Sequence, residues 1–208
     1  MRYKKLSAAI DDIKKRAAAL ADEIDLFSDG VRCLFIMYRT KDGGHNKEKK
    51  RVFDFEAFYN KEELVSALER FLWKAEFYAD PLRIYVSVNK RDIKKSIRTL
   101  EERLLDAHYT DDEQRHFIYK EMFRFPRTYL MQPENREGTL FLIDVDDKEG
   151  RDVSGEALTW CSENNVEVIT TRRTLNGWHI ITTPFNPANF PKDIGGIHKD
   201  GLLFVTSK

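Results

Sequence analysis

Two aspartates at the end of an apolar strand are the residues in this sequence best suited to carry out chemistry. The segment 138–150 reads GTLFLIDVDDKEG, so four apolar residues lead directly into Asp144, Val145 and Asp146. Because side chains alternate along a strand, Asp144 and Asp146 are predicted to project from one face, about 7 Å apart. Two such carboxylates beside an apolar core repel each other, and a divalent cation relieves the repulsion. Mg²⁺ is bound through one or two carboxylates together with phosphate oxygens.

The neighbouring acids allow a simpler interpretation. Asp147 and Asp152 precede a predicted helix, and acidic side chains near a helix N-terminus are favourable. A strand-to-helix turn therefore explains Asp147 and Asp152, but it explains Asp144 poorly because Asp144 adjoins the apolar run.

A histidine and two arginines form a second group, in the segment TTRRTLNGWHIITT at 170–183. The Asn-Gly dipeptide at 176–177 predicts a tight turn between two strands. Arg172 and Arg173 then end the incoming strand and His179 lies near the start of the returning one. Arginine suits bidentate phosphate contacts and histidine can donate to a phosphate oxygen. A single strand histidine is more often structural, so the phosphate interpretation rests on the cluster.

Hydrophobic periodicity predicts the elements that position these residues. Helices are predicted at 4–24, 61–78, 91–107, 111–125 and 154–164. Strands are predicted at 31–39, 52–59, 82–88, 139–146, 166–172, 178–183 and 202–206. A polar turn at 41–51 joins the first two strands, and residues 126–138 form a break. The expected fold is α+β (mixed α/β), with a β-α-β unit and a hairpin in the last third.

The order of three motifs resembles the catalytic core of the archaeo-eukaryotic primase (primase–polymerase) superfamily, in a phage- or plasmid-like form. The motifs are FLIDVD at 141–146, GWH at 177–179 and Asp200, which precedes the last predicted strand. The resemblance implies one catalytic domain over the whole chain. Within it, an N-terminal α/β lobe at 1–137 would join an RRM-like palm lobe at 138–208.

The resemblance also implies template-dependent nucleotidyl transfer, a DNA primase or polymerase activity, by two-metal catalysis. Asp144, Asp146 and Asp200 would hold Mg²⁺ or Mn²⁺. His179 would contact the triphosphate of the incoming nucleotide. On its own, the Asp-Gly pair at 200–201 is an ordinary turn.

Four basic residues and one asparagine are candidates for nucleotide or template contacts. We add Arg172 and Arg173 as triphosphate contacts. Asn89, Lys90 and Arg91 loosely resemble an Asn-x-Arg element at a strand end of phage and plasmid members, which implies that they face nucleotide or template. The alternative for these three is a plain strand-to-helix turn.

The expected partners are a nucleic acid template and nucleoside triphosphates. No cysteine set could bind zinc or an iron–sulfur cluster, so a helicase or an initiation domain on another chain is expected to assist priming. One alternative is a non-catalytic nucleic-acid-binding replication accessory protein. A less favoured one is a metal-dependent phosphatase of the haloacid dehalogenase type, in which the acidic strand usually opens the domain, whereas 143 residues precede Asp144 here.

The charge balance at first argues against nucleic acid, because 35 basic and 35 acidic side chains give a net charge of zero. The charges are nevertheless divided along the chain. Residues 83–98 hold six basic side chains against one acidic, whereas residues 101–156 hold eight against fifteen. Neutrality therefore excludes only indiscriminate, charge-driven binding.

The cysteines and the absence of long apolar runs in the sequence indicate the expected cellular compartment. Cys33 and Cys161 lie among apolar residues and are predicted to be buried free thiols. The first twenty residues predict an amphipathic helix rather than a signal peptide. We expect no membrane span and a cytoplasmic, intracellular location.

Overall fold

A computed structural model of the chain describes residues 2–27, 29–38, 51–78, 81–109, 112, 116 and 125–207. These residues form helices and three antiparallel sheets, which confirms the predicted α+β class. The helices are α1 (Arg2–Glu23), α2 (Lys61–Phe77), α3 (Ile93–His108), α4 (Phe125–Leu130) and α5 (Val153–Glu163). The strands are β1 (Arg32–Tyr38), β2 (Arg51–Phe58), β3 (Leu82–Ser87), β4 (Lys90–Arg91), β5 (Arg136–Glu137), β6 (Phe141–Asp146), β7 (Val168–Arg173), β8 (Gly177–Thr182), β9 (Gly196–His198) and β10 (Leu202–Ser207).

The first sheet has the strand order β10-β3-β1-β2, and all neighbours are antiparallel. Alternation along β1 and β3 turns one set of apolar side chains toward α1 and α2: Leu34, Ile36, Ile84 and Val86. Asn60 begins α2 by accepting a hydrogen bond from the Glu63 N–H at 2.9 Å, as its residue type predicts. The helices therefore cover one face of this sheet.

The second sheet has the order β7-β8-β6-β9. Because β6 and β7 are each antiparallel to β8, they run parallel to each other with β8 between them. Helix α5 connects β6 to β7 and packs Ala157 and Cys161 against Ile143 and Val145 of β6. The RRM-like description of this sheet stays a prediction.

The two sheets share one hydrophobic core. Leu142 of β6 and Ile181 of β8 belong to the same buried cluster as the α1 and α2 residues. The last strand, β10, pairs with β3 of the first sheet rather than with the second sheet. The expected division into lobes at 137/138 stays a prediction. Strand β10 follows that position in the chain but pairs with β3, which precedes it.

The start of one helix differs from its predicted position for a physical reason. Helix α3 begins at Ile93 because Asp92 is its N-cap and accepts from the Lys95 N–H, which leaves Lys90–Arg91 free to pair with Arg136–Glu137. The predicted break at 126–138 contains most of α4. The predicted turn at 41–51 and helix at 111–125 lie largely outside the described residues. None of the helices in the described ranges has a stretch long and apolar enough to span a membrane.

Candidate functional site

A cleft of about 280 Å³ lies where the two sheets meet. Its principal polar and aromatic lining residues come from the first sheet, the second sheet and the β9–β10 connection: Arg83, Tyr85 and Phe204, then Asp144, Asp146 and His179, then Asp200. The cleft therefore brings together all four residues that were predicted to be catalytic. The other five predicted site residues are described by the structure but are not among the residues that line this cleft.

Asp144 and Asp146 lie at the end of β6, on the face turned toward the first sheet. Ile143 and Val145 point the opposite way and are buried against α5. The Asp144 side chain is 45% exposed, and Asp146 is exposed. Leu142, which precedes them on the same face, is buried between the sheets. The two carboxylates thus emerge where a buried strand reaches the cleft.

His179 lies directly opposite Asp144 in the β6–β8 register. Its Nε2 atom is 3.4 Å from an Asp144 carboxylate oxygen. Its Nδ1 atom accepts a hydrogen bond from the Phe204 backbone N–H at 3.1 Å. Because Nδ1 is an acceptor, the ring proton belongs on Nε2, which faces the carboxylate. The hydrogen bond from Phe204 to His179 also ties the second sheet to β10 of the first.

Two glycines let neighbouring parts of the chain lie close to the end of β6. A Cβ added to Gly177 would lie 1.9 Å from the Val145 carbonyl oxygen, and one added to Gly195 would lie 2.7 Å from the Asp144 carbonyl oxygen. Gly177 was predicted to sit in a tight turn, but residues 174–176 make the connection and Gly177 is the first residue of β8. Close approach to the backbone of β6, not a left-handed turn, therefore requires glycine at 177.

Asp200 lines the cleft, but both of its carboxylate oxygens are engaged by Arg91. The two guanidinium N–H groups of Arg91 donate to Asp200 at 2.9 and 2.8 Å. The Arg91 side chain is 0% exposed and that of Asp200 is 19% exposed. Arg91, which was predicted to face nucleotide or template, is thus buried. It pairs with Asp200, which was predicted to be the third metal-binding acid.

Asn89 and Lys90 also have structural contacts. The Asn89 amide donates to the Leu140 carbonyl at 2.9 Å and to the Lys199 carbonyl at 3.3 Å, and its oxygen accepts from the Leu140 N–H at 2.8 Å. It therefore ties the end of β3 to β6 and to the loop that carries Asp200. Lys90 forms an ion pair with Asp29.

Arg172 and Arg173 point in different directions, as consecutive strand residues must. Arg172 donates to Glu23 at 2.9 Å and to the Val205 carbonyl at 2.6 Å, and so it joins β7 to α1 and β10. Arg173 binds Asp147 through two hydrogen bonds of 2.8 and 2.5 Å. Arg172 lies directly opposite His179 in the β7–β8 register, whereas Arg173 lies opposite Trp178 and faces the other side. The two arginines therefore do not form one cluster with His179.

The structure explains Asp147 and Asp152 by the simpler interpretation. The hydrogen bonds from Arg173 lower the pKa of Asp147. Asp152 is the N-cap of α5 and accepts from the Gly155 N–H at 2.9 Å, a contact that lowers its pKa. These two acids belong to the strand-to-helix turn, whereas Asp144 and Asp146 belong to the cleft.

Arg83 is a cleft residue that sequence reasoning missed. It is only 3% exposed and lies on β3 beside Met37 of β1. The sequence does contain a clue, because Arg83 is the one charged residue in the mostly apolar strand LRIYVS. A buried arginine is uncommon and needs a specific reason to be there. Two aromatic residues have different surroundings. Tyr85 lines the cleft, and its ring centroid is 5.8 Å from that of Phe204. Trp160 instead packs in the core against Phe185 and Phe190.

The two cysteines are buried and free, as predicted. Burial raises the pKa of the Cys33 thiol to about 12 and also raises that of Cys161.

At pH 8 the thiolate fraction of Cys33 should fall about 1,000-fold on folding. We expect Cys33 to react with a disulfide reagent at least about 100-fold faster in denaturant than in the native protein. Rapid reaction of Cys33 in the native state would contradict this burial.

The side chains that could bind a metal ion do not form a large cluster in the described part of the chain. Within the described ranges, no group of three or more His, Cys, Asp or Glu side chains could hold a metal ion on its own. Comparisons with protein-family models, with curated proteins and with solved structures found no match to this chain.

Proposed function

We propose that the chain is the catalytic core of a template-dependent nucleotidyltransferase, a DNA primase or polymerase, with the second sheet as an RRM-like palm. The observation that carries the proposal is the meeting of Asp144, Asp146 and His179 at one cleft between the sheets. Two neighbouring carboxylates and an N–H donor suit a ligand that brings both a divalent cation and phosphate groups.

The residues present fit Mg²⁺ or Mn²⁺. Both ions prefer oxygen ligands, and Mg²⁺ commonly takes only one or two carboxylates and completes its shell with phosphates and water. Asp144 and Asp146 would hold the ion, because Asp200 is already bound by Arg91 on both oxygens. When bound, such an ion neutralises phosphate charge and makes the attacking hydroxyl a better nucleophile.

The chain's own groups orient the ligand. The Nε2–H of His179 can donate to a phosphate oxygen, since the other ring nitrogen is occupied by the Phe204 N–H. Gly177 and Gly195 let the chain on either side pack tightly against the end of β6, where Asp144 is paired with both β8 and β9. The carboxylates therefore need little rearrangement when a ligand arrives.

The proposed partners are a nucleic acid template, nucleoside triphosphates and a helicase or initiation domain on another chain. Of the basic residues at 83–98, Arg83 and Arg91 are buried, while Lys94, Lys95 and Arg98 are exposed on α3. Three exposed charges support only weak, salt-sensitive template binding. Buried free thiols fit the reducing, intracellular setting that belongs to the same proposal.

A primer-extension assay tests the proposed function. The purified chain is given a primed DNA or RNA template, ribo- or deoxyribonucleotides, and Mn²⁺, Mg²⁺ or a chelator. We expect nucleotide incorporation with Mn²⁺ or Mg²⁺ and none with the chelator. Template binding without incorporation under every condition would overturn the catalytic proposal in favour of the non-catalytic accessory protein. Hydrolysis of a phosphate monoester without incorporation would instead favour the phosphatase.

A further inference from the structure

The cleft has a cationic wall as well as an acidic one. Asp144, Asp146 and His179 come from the second sheet, whereas Arg83 comes from the first. Among the described residues that line the cleft, Arg83 is the one arginine or lysine. The carboxylates and this guanidinium therefore meet at one cavity although they are carried by different sheets.

The backbone register explains how Arg83 reaches the cleft. It lies opposite Met37 of β1 and Ser207 of β10. Its neighbours Leu82 and Ile84 point into the core against α1 and α2, so Arg83 and Tyr85 point to the opposite face, where the cleft opens.

We propose that Arg83 binds the phosphate groups of a nucleoside polyphosphate in this cleft. A guanidinium has five N–H donors, so it can keep contacts within the protein and still bind a phosphate oxygen. This assignment rests on the proposed function for the class of ligand. It gives Arg83 the role that the sequence predicted for Arg172 and Arg173, which instead bind Glu23 and Asp147.

The neighbouring aromatic pair indicates how the rest of such a ligand is held. Tyr85 lies two residues from Arg83 on the same strand face, and its ring contacts that of Phe204 edge to face. The Phe204 N–H in turn fixes the ring of His179. An apolar surface thus adjoins the guanidinium and the imidazole, which suits a ligand with a charged end and a flat or apolar end.

Binding measurements on Arg83 variants test the assignment. We would titrate ATP, dATP, inorganic tripolyphosphate and adenosine into wild type, Arg83→Met and Arg83→Lys by calorimetry, with Mg²⁺ and with a chelator. Arg83→Met should weaken triphosphate and tripolyphosphate binding about 10- to 100-fold, because a charge-assisted hydrogen bond is lost, and should leave adenosine unchanged. Arg173→Met, at an arginine outside the cleft, should change triphosphate affinity less than about twofold.

The outcomes separate this inference from the proposed function. A folded Arg83→Met variant that binds triphosphate as wild type does would overturn the role of Arg83, even if wild type extends primers. Triphosphate binding that depends on Arg83 in a chain that never extends primers would support Arg83 and overturn the polymerase. If Arg83→Met does not fold, Arg83→Lys decides: we expect about tenfold weaker binding, because lysine lacks the bidentate fork, and unchanged affinity would overturn the assignment.

Discussion

Replacement of Arg91 by methionine is expected to lower the free energy of unfolding by about 3–5 kcal/mol. The Arg91 side chain is 0% exposed and donates to both oxygens of Asp200, which is 19% exposed. Methionine fills much of the same space but leaves the Asp200 carboxylate without its cation, and an uncompensated buried charge is costly. Urea unfolding followed by circular dichroism measures the change.

The adjacent residue provides a matched control. Lys90 pairs with Asp29, but these side chains are 35% and 65% exposed, so Lys90→Met should cost no more than about 1 kcal/mol. Adding Asp200→Asn to Arg91→Met should recover part of the loss, because removing both charges costs less than removing one. Equal losses for Arg91→Met and Lys90→Met would show that the buried pair does not hold the cleft together.

The sequence predicts the local part of this architecture well. The strand that ends in Asp144 and Asp146 and the N-cap at Asn60 depend on neighbouring residues, and the structure has both. Strand alternation alone also puts the two carboxylates on one face. The same alternation could have warned that Arg172 and Arg173, as consecutive residues, do not face a common ligand.

The long-range contacts could not be predicted in this way. Arg91 and Asp200 are 109 positions apart, and no local sequence pattern indicates that they form an ion pair. Gly177 suggested a turn because Asn-Gly usually forms one, whereas tertiary packing against Val145 is the reason for glycine there. Arg83 is one of the six basic residues in the segment 83–98, but the fold buries it in the wall of the cleft.

Replacement of Asp144 or Asp146 by asparagine is expected to reduce metal-dependent nucleotide incorporation about 1,000-fold or more. A metal ion contributes several kcal/mol to such a reaction, and each 1.36 kcal/mol corresponds to a factor of ten in rate. Asparagine keeps the shape of the side chain but removes the charge that holds the ion, so the fold should be unaffected. Single-turnover primer extension measures the loss.

Asp147 is the matched control for this loss, because it is next in the chain but is bound to Arg173 outside the cleft. Asp147→Asn should retain incorporation within about threefold of wild type, since an exposed ion pair outside the cleft contributes little to stability and does not touch the ligand. A comparable loss in Asp147→Asn and Asp146→Asn would show that general acidity of the segment, not the two cleft carboxylates, supports activity.

The most direct test of the central claim is Mn²⁺ binding, followed by electron paramagnetic resonance in the presence of a nucleoside triphosphate. The claim is that Asp144 and Asp146 hold a divalent cation at the cleft. We predict saturable Mn²⁺ binding to the wild-type chain beyond that of the nucleotide alone, and none to the folded Asp144→Asn/Asp146→Asn double variant. Equal Mn²⁺ binding by the two proteins, or none by wild type, would contradict the claim.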